Sequence, residues 1–362
     1  MTCTVRQTRF RRARLLALMA VCSCALALVA CGNKKKQASA VQSERAQAAE
    51  HVEGLGALPA DVHVVVGANV PMLAASPLVR RAFASMVERD RELTGRIAEL
   101  QTRCKIDPAK DLSSIVVGLM GTTSKRDVVL VAKGKFDEAA IATCVEGALT
   151  ERGGSLEKKA AAGNVTVYLV HNPQGGAGGD VAFTFGAPDV LLVADSEALL
   201  LRARDPAQPK LTSNAAMMKL VKATDSRAAL WGAGTVAPEV GSGLVKASGD
   251  KVRAPAQAMY GFANLDSGLA LELSLQMASA DDAKGLYEVV QKQLSQFAIM
   301  AQAYSLGPVV NKIKPSAQGS LFVVTLTLDA DELARLESLL DRPQGRKGPN
   351  GATEQGKEGT SP

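Results

Sequence analysis

Residue types that carry out chemistry are scarce in this chain of 362 residues. Three histidines occur, His51, His63 and His171, and the usual zinc-binding spacings His-x-x-His, Cys-x-x-Cys and His-Glu-x-x-His are missing. A nucleophile elbow needs Gly-x-Ser-x-Gly, whereas the nearest match, Gly-Ser-Gly around Ser242, lacks that spacing and an adjacent histidine. The sequence therefore predicts neither a metal site nor a Ser-His-Asp hydrolase.

Two glycine clusters match phosphate-binding patterns in part. Residues 232–237 fit the dinucleotide fingerprint after a predicted strand, but Pro238 and two more glycines follow where a helix should run. Residues 175–179 precede a strand, whereas a phosphate cradle needs a helix N-terminus behind the glycines. We interpret the first cluster as a flexible strand exit and the second as a hairpin loop, and we expect no cofactor.

Acidic residues are paired at two places, as general acid–base catalysis requires: Asp281-Asp282, and Asp329 with Asp331-Glu332. Each group opens a predicted helix directly after a predicted strand. A carboxylate there caps free N–H groups and interacts favourably with the helix dipole. We interpret these acids as capping residues, so the sequence predicts no catalytic residue and a non-enzymatic protein.

The N-terminus has the layout of an export signal. Its first fourteen residues contain five arginines and no acid, and an apolar run follows from Leu15 to Ala30. That run, interrupted by Ser23, is shorter than the roughly 20 residues that span a bilayer. A cleaved signal over residues 1–30 is therefore favoured over a transmembrane anchor. The pair Arg11-Arg12 leaves a twin-arginine export route open as an alternative.

The apolar run ends in Leu28-Val29-Ala30-Cys31, which resembles the lipobox of bacterial lipoproteins. Cys22 and Cys24 do not fit, because the residue before Cys22 is too large for the cleavage position and Cys24 lies too early in the run. The resemblance implies cleavage before Cys31, a diacylglycerol on its sulfur and usually an acyl chain on the new amino group, and several chains anchor a protein stably. Since Gly32 follows rather than aspartate, the resemblance favours the outer membrane, with the inner membrane as the alternative.

Removal of the signal changes the charge balance. The formal charge of +6 points to an anionic partner, but five of the 42 basic residues lie in the signal, which leaves 37 basic against 36 acidic residues. Three of the remaining lysines, residues 34–36, lie beside the lipobox. Aromatic residues form only 4% of the chain, too few for typical base-stacking or sugar-binding surfaces. We therefore expect no nucleic-acid partner, and contact with the membrane through the lipid anchor.

Cys104 and Cys144 remain as a pair once the signal is removed and Cys31 is acylated. Both continue the apolar stripes of predicted amphipathic helices, and an exported protein folds in an oxidising compartment. A disulfide between them would close a loop of about forty residues and stabilise the fold by about 4 kcal/mol in the chain-entropy model. The disulfide is favoured, and two buried free thiols are the alternative.

The periodicity of apolar residues predicts an α+β fold, with antiparallel sheets and helices packed on one face. The predicted organisation is a signal peptide (1–30), a lipidated flexible tether (31–57), two α+β units (58–210 and 223–340) and a disordered tail (341–362). Inward-facing apolar stripes are expected on the helices of both units. They comprise Val79, Phe83, Met86 and Val87, then Leu93, Ile97 and Leu100, and in the second unit Leu286, Val290, Leu294 and Phe297.

The two units repeat one order of elements. Hairpins that begin near residues 115 and 259, and helices that begin near residues 137 and 281, are both separated by 144 positions. Duplication with insertions explains this agreement, but the order hairpin-then-helix is common in unrelated proteins and residue identity is poor. The sequence leaves both explanations open.

The layout resembles that of large uncharacterised lipoproteins of gliding soil bacteria. An Ala-Leu-Pro-Ala-Asp segment at residues 57–61 precedes the first strand, and Gly-Lys-Phe-Asp at residues 134–137 precedes a helix. This family has no assigned activity, so the resemblance implies the fold and the envelope location alone.

These patterns favour a non-enzymatic interaction or assembly module of the cell envelope, with an unidentified protein partner. One alternative is a periplasmic carrier of apolar ligands such as lipid, motivated by the strand content and by Met259, Met277 and Met300. A hydrolase that uses His171 and Ser242 is the other.

Overall fold

A computed structural model describes residues 41–121, 126–161, 163, 165–171, 181–303 and 306–340. The predicted signal (1–30), the lipidation residue Cys31, the glycine cluster at 175–179 and the tail (341–362) lie outside these ranges. Within them, no helix is both long enough and apolar enough to cross a bilayer.

Twelve strands of the described chain form one continuous antiparallel sheet. The strands are β1 (Val64–Asn69), β2 (Leu112–Gly121), β3 (Arg126–Gly134), β4 (Ser155–Ala161), β5 (Val165–His171), β6 (Val181–Ala187), β7 (Val190–Ala194), β8 (Leu230–Thr235), β9 (Ala258–Asn264), β10 (Gly268–Gln276), β11 (Lys314–Gln318) and β12 (Leu321–Asp329). Their order across the sheet is β11-β12-β10-β9-β8-β1-β2-β3-β7-β6-β5-β4.

Twelve helices accompany the sheet in the described ranges. They are α1 (residues 41–50), α2 (Val70–Ala75), α3 (Pro77–Arg89), α4 (Arg91–Thr102), α5 (Pro108–Asp111), α6 (Glu138–Thr150), α7 (Glu197–Arg204), α8 (Ala215–Ala223), α9 (Pro238–Ala247), α10 (Ala280–Ala303), α11 (Gly307–Val310) and α12 (Ala330–Leu340). Several begin at a side-chain cap after a strand: Asn69 accepts from the Met72 N–H at 3.1 Å and Ser196 accepts from the Leu199 N–H at 3.2 Å.

The two predicted units occupy opposite halves of the same sheet. From the centre outwards the first half reads β1-β2-β3-β7-β6 and the second half reads β8-β9-β10-β12-β11, so the two halves share one topology. The hairpin β4–β5 is an addition at the outer edge of the first half. The halves meet where β1 pairs antiparallel with β8, with Val66 opposite Gly232. The elements that the sequence separates by about 144 positions occupy equivalent positions: β2 and β9 begin 146 residues apart, and α6 and α10 begin 142 residues apart.

Two rows of directly paired residues define the two faces of the sheet, because paired residues project to the same side and consecutive residues to opposite sides. The row that defines the first face contains Ala182, Ala194, Val129, Gly118, Val65, Ala233, Tyr260, Ser274 and Val323. The row that defines the second face contains Phe183, Val193, Leu130, Val117, Val66, Gly232, Gly261, Leu273 and Val324.

Helices pack on both faces. Leu200 of α7 and Val221 of α8 belong to the core of the first face, together with Ala182. On the second face, Ile141 of α6 packs with Phe183 at one end of the sheet, and α10 packs with Val324 at the other. The predicted α+β class and antiparallel pairing are confirmed. The prediction of several sheets with helices on one face is corrected to one sheet with helices on both faces, because α7 and α8 pack against the first face and α6 and α10 against the second.

The predicted tether (31–57) is shorter than the sequence indicated. Its described residues form α1 and a 3₁₀ turn at Leu55–Ala57, and Ala49 and Leu55 are buried in the first-face core. The segment reads as polar and alanine-rich because alanine packs closely against the sheet and its charged residues form pairs, such as Glu50 with Lys222 at 2.6 Å. From residue 41 to residue 50, the polar, alanine-rich composition belongs to a surface helix rather than to a flexible tether.

The predicted inward stripes are wrong at several positions. Phe83 and Met86 of α3, Leu100 of α4 and Phe297 of α10 are exposed, and α3 contains no buried residue. Leu286 of α10 is buried as predicted. Periodicity identified apolar helix faces, but several large apolar side chains on α3 and in the second half of α10 stay exposed among the described residues: Phe83, Met86, Phe297, Ile299 and Met300.

Candidate functional site

The centre of the second face is an apolar surface without a cover from the described helices. Here α6 and α10 pack over the two ends of the sheet, and β1, β8, β9 and β10 lie between them. Large apolar side chains on these four strands are 36–41% exposed; they are Val66, Leu230, Met259, Leu271 and Leu273. Apolar surface of this kind on an otherwise packed sheet typically marks a binding site.

Two facing glycines turn this surface into a groove. Gly232 of β8 pairs directly with Gly261 of β9, between Val66 of β1 and Leu273 of β10. The middle of this row of four paired residues therefore has no side chains, whereas Val66 and Leu273 at its ends do. The adjacent residues on the same face also carry side chains. The result is a groove of about 310 Å³ whose floor is backbone and whose walls are valine, leucine and methionine side chains.

The two glycines differ in the room around them. A Cβ atom at residue 261 would collide with the carbonyl oxygen of Glu272, so close strand packing requires glycine there. At residue 232 a Cβ atom would stand 3.4 Å from the Val65 carbonyl oxygen and 3.7 Å from Cγ2 of Val66, which is ordinary contact. Gly232 therefore leaves space that a larger side chain, or a ligand, can fill.

The first face beneath the groove is tightly packed. Trp231 of β8 is buried there and lies over Gly67 of β1. Arg45 of α1 donates to Glu272 Oε1 and Oε2 at 3.0 and 3.3 Å, and its guanidinium lies 4.9 Å from the Phe262 ring centroid. These contacts join α1 to β9 and β10, the strands that form half of the groove floor.

The chemistry of the groove is that of apolar contact. Glu272, the one carboxylate on its lining, points to the first face, where both carboxylate oxygens accept hydrogen bonds from Arg45. Tyr260 also projects to the first face, and burial raises the pKa of its phenol. The groove thus presents neither a nucleophile nor a general acid or base, and it fits an apolar group that is held by area rather than by directed bonds.

The structure bonds Cys104 to Cys144, with the two Cα atoms 5.1 Å apart. Cys104 follows α4 and Cys144 lies in α6, so the bond joins the helical segment between β1 and β2 to the helix that covers the outer strands. Ion pairs reinforce the junction: Arg103 contacts Glu151, and Arg152 contacts Glu99 at 2.9 Å. Cys31, the predicted lipidation site, lies outside the described residues.

The residues considered for catalysis are not brought together. His171 is at the end of β5 and contacts Glu157 of β4 at 3.2 Å, while the Ser242 hydroxyl donates to the Pro238 carbonyl oxygen of its own helix at 2.7 Å. Both ring nitrogens of His63 face backbone carbonyl oxygens, those of Asp61 and Gly121. No cluster of metal-binding side chains occurs among the described residues.

The sequence patterns that resembled cofactor and acid–base motifs have structural roles. Gly232 lies inside β8 rather than in a strand-to-helix loop, so residues 232–237 do not form a dinucleotide site. Asp282 accepts from the Ser279 hydroxyl at 2.6 Å and from the Arg253 N–H at 2.7 Å, which fixes the start of α10. Asp329 and Glu332 cap one another at α12.

Sequence reasoning missed the groove. Of its wall residues, only Met259 had been considered for ligand binding. The available signal was the apolar character of both sides of β1 and β8, which predicts cover on both faces. Which part of that surface stays uncovered depends on where the helices pack, and the strand sequences do not contain that information.

No protein-family model matches the chain, and no curated protein matches it. Among solved structures, crystal form III of TP0453 aligns with a TM-score of 0.47 and 13% sequence identity, covering 80% of this chain and 99% of that one. Crystal form I of TP0453 aligns with a TM-score of 0.45 and 14% identity, covering 80% of this chain and 98% of that one.

Proposed function

We propose that this chain is a lipid-anchored protein of the bacterial cell envelope that acts without catalysis, by binding an apolar surface of a partner protein in the second-face groove. The observation that carries the proposal is the set of five large apolar side chains at the groove, each more than one-third exposed. Exposed aliphatic walls around a vacant floor are what a partner's apolar anchor residue requires.

The anchor half of the proposal rests on the lipobox that ends at Cys31. Ten positions separate Cys31 from residue 41, where the described chain begins. Ten residues span at most about 35 Å when fully extended. Lipidation at Cys31 would therefore hold the folded body close to the membrane, and the three lysines at residues 34–36 would each contribute about 1 kcal/mol near anionic headgroups.

The shape of the groove favours a protein partner over an enclosed small molecule. Small-molecule sites usually have volumes of roughly 300–1,000 Å³ and surround most of the ligand. This groove, at about 310 Å³, is at the lower limit and is lined by strands alone. Protein interfaces commonly bury one anchor side chain in a small pocket and surround it with weaker contacts. A shallow apolar surface with a central groove fits that arrangement.

Site-specific photocrosslinking in intact cells tests this proposal. A photoreactive amino acid at Leu271 should produce one discrete protein adduct. The same amino acid at Val240, which is 64% exposed on α9, serves as a matched apolar control. The Leu271 adduct should disappear when Gly232→Leu fills the groove in the same chain. An adduct that persists with the filled groove, or equal adducts from both positions, would show that the groove is not the binding surface.

A second candidate function is a carrier of apolar ligands, and the purely aliphatic walls of the groove favour it. In that case the purified protein should retain a lipid. Native mass spectrometry of detergent-free protein would show wild type with a bound mass that Gly232→Leu lacks. Absence of a bound lipid mass from both proteins would exclude the carrier function.

A further inference from the structure

We infer that the groove is occupied by the chain's own Cys31-linked acyl chain whenever the anchor is outside a membrane, and that membrane insertion of the anchor empties the groove for its partner. This inference rests on the proposed function, since it requires both lipidation at Cys31 and the groove as a binding surface. It adds a named first occupant and a reason why binding would depend on membrane attachment.

The described chain begins next to the strands that form the groove. Arg45 fixes α1 to Glu272 of β10 and to Phe262 of β9 on the first face. Leu271 and Leu273, the neighbours of Glu272 on the same strand, project to the opposite face and form a wall of the groove. The lipidated end is therefore tethered to the strands that carry the site.

The connecting segment is long enough to pass around the sheet. From Phe262 to the end of β9 at Asn264 is two residues, or about 7 Å along the strand. Passing from one face to the other adds about 10 Å, the usual spacing between packed layers. Returning along the second face from Asn264 to Gly261 adds three residues, or about 10 Å. Ten extended residues reach about 35 Å, which is enough for Cys31 to reach the groove. Residues 33–40 contain no large apolar side chain that would compete for it.

An acyl chain suits the groove chemically. Its methylenes need apolar walls and no hydrogen-bond partner, and Val66, Leu230 and Met259 provide those walls. The floor at Gly232 and Gly261 allows an unbranched chain to lie against the backbone. In water, a free acyl chain is unfavourable in proportion to its exposed area, so a covalently tethered chain should occupy the nearest apolar surface.

The test uses the full, processed lipoprotein. Cells are grown on a fatty acid that carries a diazirine, so that the acyl chains at Cys31 become photoreactive, and the protein is irradiated in detergent-free buffer. Expected adducts lie within one chain, between the residue 31 peptide and peptides of β8 to β10. Because a leucine side chain takes the space of about four methylene groups, Gly232→Leu should reduce their yield at least about tenfold. Gly243→Leu on α9, where a Cβ atom would meet nothing within 4 Å, should not.

Adding phospholipid vesicles before irradiation should abolish the intrachain adducts and replace them with adducts to phospholipid. Three results would overturn the inference: adducts between two chains, adducts confined to α3 or other surfaces, or equal yields in wild type and Gly232→Leu. The mass of the residue 31 peptide distinguishes a missing lipid anchor from an anchor that does not occupy the groove. A peptide without lipid would refute the anchor itself, whereas a lipidated peptide without groove adducts would refute the self-occupied groove alone.

Discussion

Trp231 lies directly over Gly67 at the junction of the two halves, where the two residues are paired across β1 and β8. A Cβ atom at residue 67 would lie 2.1 Å from Cε2 of the indole, so the absence of a side chain makes room for the only tryptophan in the sequence. Trp231 is 5% exposed and belongs to the first-face core. At the junction of the two halves, the indole of Trp231 thus packs against the backbone of Gly67, because glycine has no side chain in the way.

Gly67→Ala should destabilise the protein by about 1–3 kcal/mol, because the added methyl group forces the indole or the strand to move. Chemical denaturation followed by tryptophan fluorescence measures the loss. Gly243→Ala is the control: its methyl group meets nothing within 4 Å, and alanine favours the α9 helix. Equal stability of Gly67→Ala and wild type would show that Trp231 adapts without strain.

The fold could be predicted from the sequence to the extent that it depends on local patterns. Apolar runs such as that of β1 identified strands, and the order of elements suggested two related units. The central seam depends on Gly67 meeting Trp231, a contact between residues 164 positions apart that no local pattern encodes. The groove is hidden for a similar reason: Leu271 and Leu273 look like core residues in sequence, and only the placement of helices leaves them exposed.

Asp282 should make stability depend on pH. The Ser279 hydroxyl, followed by the N–H groups of Arg253 and Ala254, lowers the pKa of this carboxyl. Because the folded pKa lies below the unfolded one, the carboxylate stabilises the fold above the unfolded value of about 3.9 and ceases to do so as pH falls through the folded value. Asp282→Asn should therefore lower the free energy of unfolding by about 1–3 kcal/mol at pH 7, and by less at pH 3 than at pH 7. Denaturation at both pH values measures this, and a constant difference would contradict it.

The Cys104–Cys144 bond predicts that the processed chain has no titratable thiol. After denaturation without reductant, thiol reagent should find none, whereas free cysteines would give two. Its forty-residue separation predicts that Cys104→Ser together with Cys144→Ser lowers the free energy of unfolding by about 4 kcal/mol in the chain-entropy model. A double variant as stable as wild type would show that the ion pairs at this junction suffice.

Arg45 predicts how firmly α1 is held. Its contacts with Glu272 and Phe262 are partly buried, so Arg45→Ala should weaken the docking of α1 by about 1–3 kcal/mol. Hydrogen exchange of residues 41–50 should then become faster while β9 and β10 stay protected. Lys222→Ala removes an exposed ion pair between α8 and Glu50 of α1, and it should change the hydrogen exchange of α1 little. Equal protection of α1 in wild type and Arg45→Ala would refute this role.

Cys31→Ala should leave an uncleaved precursor that carries no lipid, because the lipobox resemblance makes processing depend on acylation of that sulfur. Labelling with a tagged fatty acid and intact mass of the membrane fraction measure both effects. Cys22→Ala and Cys24→Ala should be processed normally, since neither fits the cleavage position. Retention of Arg6 to Ala30 together with bilayer insertion in wild type would favour the transmembrane anchor. The segment between the membrane anchor and residue 41 would then be longer than ten residues. Lipid label at Cys31, by contrast, holds residue 41, where the described chain begins, within about 35 Å of the membrane, and the proposed control of the groove by the anchor depends on that closeness.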